Sequence, residues 1–122
     1  MSNFRRPPAP PRVVEHIRAF NDAVTRADFT DFAATFASSA TMSFIVVPAG
    51  PFHGRNAIAR GYAENPPDDT MSVRSWHREV DRDIVRFAWD GGGSGSLALT
   101  WDGDLVATLT VAFDPHELPP RD

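Results

Sequence analysis

The chain has 122 residues, 42% of them apolar, enough for one domain, and a domain of this size buries about two-thirds of its unfolded surface. Sixteen acidic against twelve basic side chains leave a net charge of −4, and the bases are scattered arginines with no stripe that would mark a nucleic-acid surface. With no cysteine there is no disulfide, thiolate nucleophile or cysteine-ligated zinc, and the longest apolar run, Phe44–Val47, is far too short to span a membrane.

The opening Met1-Ser-Asn-Phe-Arg-Arg-Pro-Pro lacks the apolar stretch of a signal peptide, so a soluble cytoplasmic protein is expected. Residues 1–12 carry Pro7, Pro8, Pro10 and Pro11, a polyproline-biased stretch expected to be a disordered tail, or alternatively a proline-rich docking ligand. From Val13 the pattern changes. Val13, Ile17, Phe20, Val24 and Ala27 recur at spacings of four and three, which predicts a helix with one apolar face. Asp28 then offers an N-cap for a shorter second helix on which Phe29, Phe32, Ala33 and Phe36 share a face. The β-branched, apolar segment Ala40–Val47 predicts a strand, broken by Pro48-Ala-Gly-Pro51. After Phe52-His-Gly-Arg55 a third helix is expected from about Asn56 to Glu64, where Pro66 disfavours helical geometry at Asn65.

The remainder reads as four strands. Met71–Val80 is the first and Ile84–Trp89 the second, with Val85, Phe87 and Trp89 on one face. Beyond the glycine-rich Asp90–Gly95 loop, Leu97, Leu99 and Trp101 share a face of the third. A phosphate cradle should open a helix, and this loop joins two strands, so it reads as a hairpin connection. Asp102-Gly103 marks a tight turn, and the fourth strand places Leu105, Ala107, Leu109, Val111 and Phe113 together. Helices gathered beside a meander predict an α+β fold: a curved antiparallel sheet wrapped by three helices from the N-terminal half, a cone-shaped α+β barrel around an apolar pocket. The domain is expected over residues 13–114, with 115–122 as a C-terminal tail.

Four residue groups in this order resemble the nuclear transport factor 2-like superfamily, which includes ketosteroid isomerase-like and SnoaL-like domains. They are the opening amphipathic helix, the Ala27-Asp-Phe29 link into Phe32-Ala-Ala-Thr-Phe36, the Phe52-His-Gly-Arg-Asn-Ala-Ile58 start of the third helix, and the closing Trp101-Asp-Gly-Asp-Leu-Val-Ala-Thr-Leu-Thr-Val-Ala-Phe113. The resemblance implies, for a ketosteroid isomerase, a carboxylate base at the end of the first strand, a tyrosine near Ile17 and a second acid near Leu97. The residues there are Ser43-Phe-Ile-Val-Val-Pro48, Ile17 and Leu97, none of them a carboxylate or a tyrosine. That chemistry is therefore not expected.

His16, on the flank of the first helix's apolar stripe, reads as a boundary residue half in solvent or as a nonstandard acid or base aimed into the pocket. His53 reads as a helix-start residue or, again, as an acid or base. Neither forms a metal-ligand spacing with His77 or His116, so no metal and no cofactor is expected. The resemblance makes Leu97, Leu99 and Trp101 the pocket-facing strand set; Ile17, Phe20 and Phe44 complete the expected ligand-binding residues. Each of these side chains has the alternative of simply filling the core. The reading that results is a domain binding a small lipophilic molecule by burial. An isomerase, cyclase or dehydratase using a histidine is the first alternative. The second is a homodimeric interaction module pairing through the outer sheet face, where Val106, Thr108, Thr110 and Ala112 are expected.

Overall fold

In the computed structural model, which describes residues 9–45 and 47–114, three helices pack into the concave side of a six-stranded sheet. The expected tails at 1–8 and 115–122, and Val46 of the expected first strand, lie outside the described residues. Helix α1 spans Pro11–Arg26, starting a little before Val13 because proline fits the first helical position, where no amide hydrogen is needed. Its buried stripe is Val13, His16, Ile17, Phe20 and Ala23. Val24 is only half-buried, and Ala27, expected on the stripe, ends the helix in the left-handed region at φ 57°.

Helix α2 is a single turn, Thr30–Ala33. Asp28 acts one position earlier than an N-cap would, accepting a hydrogen bond from the Thr30 amide at 3.0 Å. Phe36, expected on this helix, instead opens strand β1, Phe36–Ile45. Strand β2 is the short Phe52–His53, and α3 runs Arg55–Glu64. The meander follows as β3 (Met71–Glu79), β4 (Arg82–Trp89), β5 (Ser94–Asp102) and β6 (Leu105–Phe113).

The strand order is β2-β1-β6-β5-β4-β3. The meander is antiparallel throughout, while β1 joins β6 in parallel. The sheet curves without closing, so β2 and β3 remain its two edges. The edge strand β3 is tied to α1 by Asn21, whose side chain accepts from the Met71 amide at 2.8 Å and donates to the Met71 carbonyl at 2.9 Å. On the other side, Arg55 of α3 donates to the Phe36 carbonyl at 2.8 Å.

Register shifts in β6 and its neighbours change which residues face inward. Val106 pairs with Trp101, but Thr108 pairs with Thr100, so Ala107 is an extra residue on β6. Because side chains alternate with period two, one extra residue exchanges the faces on either side of it. Leu109 and Val111 therefore face inward as expected, while Leu105 is exposed and Val106 is buried. Val106 belongs to the interior, not to the outer face.

The concave face also buries a carboxylate. Asp83 on β4 is 0% exposed, and its two oxygens accept from the indole N–H of Trp76 at 3.0 Å and of Trp101 at 2.7 Å. Arg78 supplies a counter-charge at 3.4 Å. A buried ion is tolerated only when it is hydrogen-bonded and paired, and here two indole donors and the Arg78 guanidinium meet that need. Asp83→Ala removes all three partnerships at once and is expected to lower the unfolding free energy by about 3–5 kcal/mol in urea titrations. The β3–β4 turn offers the opposite case. Val80 sits at φ 57° and 98% exposed, so its branched side chain is held in the left-handed region with nothing packed on it. Val80→Asn is expected to raise stability by about 1 kcal/mol, since asparagine tolerates that region.

Candidate functional site

The helices do not fill the concavity. Between them and the sheet lies a cavity of about 290 Å³. Phe20 of α1, Phe32 of α2 and Tyr62 of α3 form its helical wall; Phe87, Leu97 and Leu109 are among the sheet residues opposite. Its rim includes Ala49 after β1, Asn65 and Pro67 after α3, and Trp89 and Phe113 on the sheet. Near that rim Trp89 stacks on Phe113 with centroids 6.4 Å apart, and Phe113 stacks on Phe44 at 6.3 Å. Such rings present flat, wide surfaces, so the cavity is bounded mainly by planes rather than by interlocking aliphatic branches.

No arginine, aspartate or glutamate among the described residues lines this cavity. Its side chains able to hydrogen-bond are His16, Tyr62, Asn65 and, through its indole N–H, Trp89. His16 is 5% exposed, packed against Phe32 at 5.1 Å and Phe36 at 6.0 Å, and its Nδ1 has no hydrogen-bond partner. It is not the half-solvated boundary residue that its sequence position favoured. Burial among rings disfavours the imidazolium and holds the pKa down at about 4, so the ring is neutral at physiological pH. Tyr62 stacks flat on Phe29 at 5.0 Å, and burial likewise pushes its pKa up, keeping the phenol protonated. The cavity thus offers neutral donors and acceptors only.

Of the expected site residues, the fold brings His16, Phe20, Phe44 and Leu97 to the cavity. Ile17, next to His16 but about 100° around the helix, turns into the packed core. Leu99, at 0% exposure, is also core. Trp101 lies beyond the register shift at Thr100, where Asp83 holds its indole away from the cavity. His53 is exposed on edge strand β2, its Nδ1 at 3.5 Å from the Thr41 hydroxyl, and does not reach the site. Tyr62 and Asn65 were missed by sequence reasoning. The one available signal was the Ile58/Tyr62 spacing of four, which marks a buried face of α3. Among the described residues, no three histidine, aspartate or glutamate side chains are grouped closely enough to hold a metal ion. No described helix is long and apolar enough to cross a membrane.

The fold recurs in solved structures of low sequence identity. A putative isomerase from Bacillus subtilis superposes with a TM-score of 0.71 at 15% identity, over 86% of this chain and 88% of that one. A SnoaL-like protein of unknown function from Burkholderia thailandensis gives 0.68 at 15% identity, over 88% of this chain and 99% of that one. A protein from Sphaerobacter thermophilus gives 0.65 at 20% identity, over 83% and 94%. No curated protein matches the sequence. At such identities the likeness shows the fold alone, but the model of the SnoaL-like domain matches residues 17–113 of the sequence itself. The chain belongs to the SnoaL-like domain family, and its fold is shared by a solved structure described as an NTF-2 like protein.

Proposed function

We propose that this domain binds a small, neutral, mainly apolar molecule in the cavity between helices and sheet, with His16 as its principal hydrogen-bond partner. The observation that carries this reading is a cavity lined chiefly by rings and aliphatic side chains and touched by a buried imidazole whose Nδ1 has no hydrogen-bond partner. An unmade hydrogen bond on a buried polar atom costs about 1–3 kcal/mol, and a ligand hydroxyl or carbonyl met by a turn of the ring would recover much of it. Size supports the same class. A dry apolar cavity of about 150 Å³ accepts one benzene ring, so about twice that volume suits two fused rings. Anions and cations are disfavoured, because the walls carry no opposite charge to offset their desolvation.

An acid–base role for His16 is the weaker reading. Proton transfer at neutral pH is served best by a group whose pKa lies near the operating pH, and burial holds this imidazole at about 4. The ring is better suited to orienting a ligand than to taking its proton.

Two measurements test the assignment. In calorimetric titration 2-naphthol is expected to bind about three- to tenfold tighter than naphthalene, reflecting one net hydrogen bond. Naphthalene-2-sulfonate is expected not to bind. His16→Leu should abolish the preference for the hydroxyl while retaining naphthalene, and a preference that survives the substitution would sink the role given to His16. The second measurement is the pH dependence of stability. The unfolded histidine titrates at about 6.5 and the folded one at about 4, so below 6.5 the unfolded state binds the extra proton. The neutral ring's stabilising contribution is complete above pH 6.5, declines as the pH falls and is lost by about pH 4, a change of about 3 kcal/mol. Melting curves of the wild type between pH 7 and 4 should therefore drop more steeply than those of His16→Leu. Equal slopes would refute the buried neutral imidazole.

A further inference from the structure

A second hollow of about 320 Å³ lies against the N-terminal turn of α1 and the β5–β6 turn, and it shares His16, and no other residue, with the cavity. Its walls include Pro11, Val106 and the Trp101 indole. Each of the three charged residues on it has a partner or a solvent outlet, and one of them, Arg12, covers part of the Trp101 wall. Arg12 lies over the Trp101 ring at 4.7 Å and donates to the Gly103 carbonyl at 3.2 Å; Glu15 is held by Arg18; Asp104 is exposed on the turn. What remains toward His16 is predominantly apolar, and its Trp101 wall is fixed by the two-indole clamp on Asp83.

Resting on the ligand-binding reading above, we propose that this hollow is a second compartment of the same site, that the His16 imidazole is the partition between the two, and that the ligand is elongated. Its two-ring part occupies the aromatic cavity and an uncharged, flexible apolar extension passes His16 into the Trp101 hollow. The partition is movable for a stated reason. No hydrogen bond holds Nδ1, so the ring is kept in place by packing, including its ring contacts with Phe32 and Phe36. The polar group of the ligand then lies where the two parts join, beside the one ring that both compartments touch.

The three tryptophans make this testable in the unaltered chain. Trp89 lines the cavity, Trp101 lines the hollow, and Trp76 lines neither. The protein is labelled with 5-fluorotryptophan, and its ¹⁹F spectrum is followed as 2-naphthol and a series of 3-alkyl-2-naphthols, ethyl to hexyl, with the chain beside the hydroxyl, are added. The unsubstituted probe is expected to shift the Trp89 resonance alone. The longer homologues should shift Trp89 and Trp101 together and leave Trp76 in place, with affinity rising about fourfold for each methylene that enters the hollow. In His16→Ala, with the partition removed, the gain with chain length should begin at a shorter chain. If all the probes move Trp89 and none moves Trp101, the cavity binds ligand but the second compartment is refuted. A Trp101 shift without a Trp89 shift shows a separate site and overturns the continuity. If no probe moves Trp89, the binding assignment itself falls and this inference with it.

Discussion

The Phe32 ring is where the interior is tied together. It is 1% exposed and makes aromatic contacts with His16 and Phe20 of α1, Phe29 ahead of α2, Phe36 of β1 and Tyr62 of α3, with centroids between 5.1 and 6.1 Å apart. Its own helix has four residues, far below the length at which a helix persists in isolation. Helix α2 therefore exists because Phe32 is gripped from several sides, and the three helices hold their mutual positions because they grip the same ring. The contacts are steeply inclined: Phe36 at 84° and Tyr62 at 86° meet Phe32 edge to face. That geometry suits the ring's charge distribution but spaces the rings apart. The hub of the core is consequently also a wall of the cavity.

Among the described residues, the buried His16 and Asp83 meet the cost of burial in opposite ways. Asp83 is a carboxylate with a full set of donors, and its role is to lock two indoles and the β3–β4–β5 corner. His16 is left neutral and with Nδ1 unbonded in the middle of α1's apolar stripe. A leucine there would serve stability better, since it brings no polar atom into the core. A side chain that stability alone would not favour, set at the boundary of two hollows, is what a binding role accounts for.

Fold and function separate cleanly in this molecule. Structures at 15–20% identity share the architecture with TM-scores of 0.65–0.71, and one architecture serves many chemistries. Within that architecture this chain's cavity is lined by rings, aliphatic groups and uncharged polar side chains. On the binding role proposed above, such a lining would select by shape and by one or two hydrogen bonds, with affinity set by the apolar area buried and specificity by the placement of the ligand's polar atom.

The sequence by itself determined the element order apart from the short strand β2, the inward residues of β4 and the first part of β5, and three apolar cavity residues, Phe20, Phe44 and Leu97. These follow from periods of 3.6 and 2, which depend only on local geometry. It also placed His16 within reach of the cavity, although not its burial. Tertiary structure alone decided the rest. The parallel union of β1 with β6 and the register shifts at Thr100/Trp101 and Ala107 are relations between distant strands, and a single extra residue turns Val106 inward and leaves Leu105 outside. Trp101 left the cavity because Asp83, eighteen residues earlier, offered its N–H a buried acceptor. Tyr62 and Asn65 entered it because α3 packs beside α2 and across β1, contacts to which helical periodicity is blind.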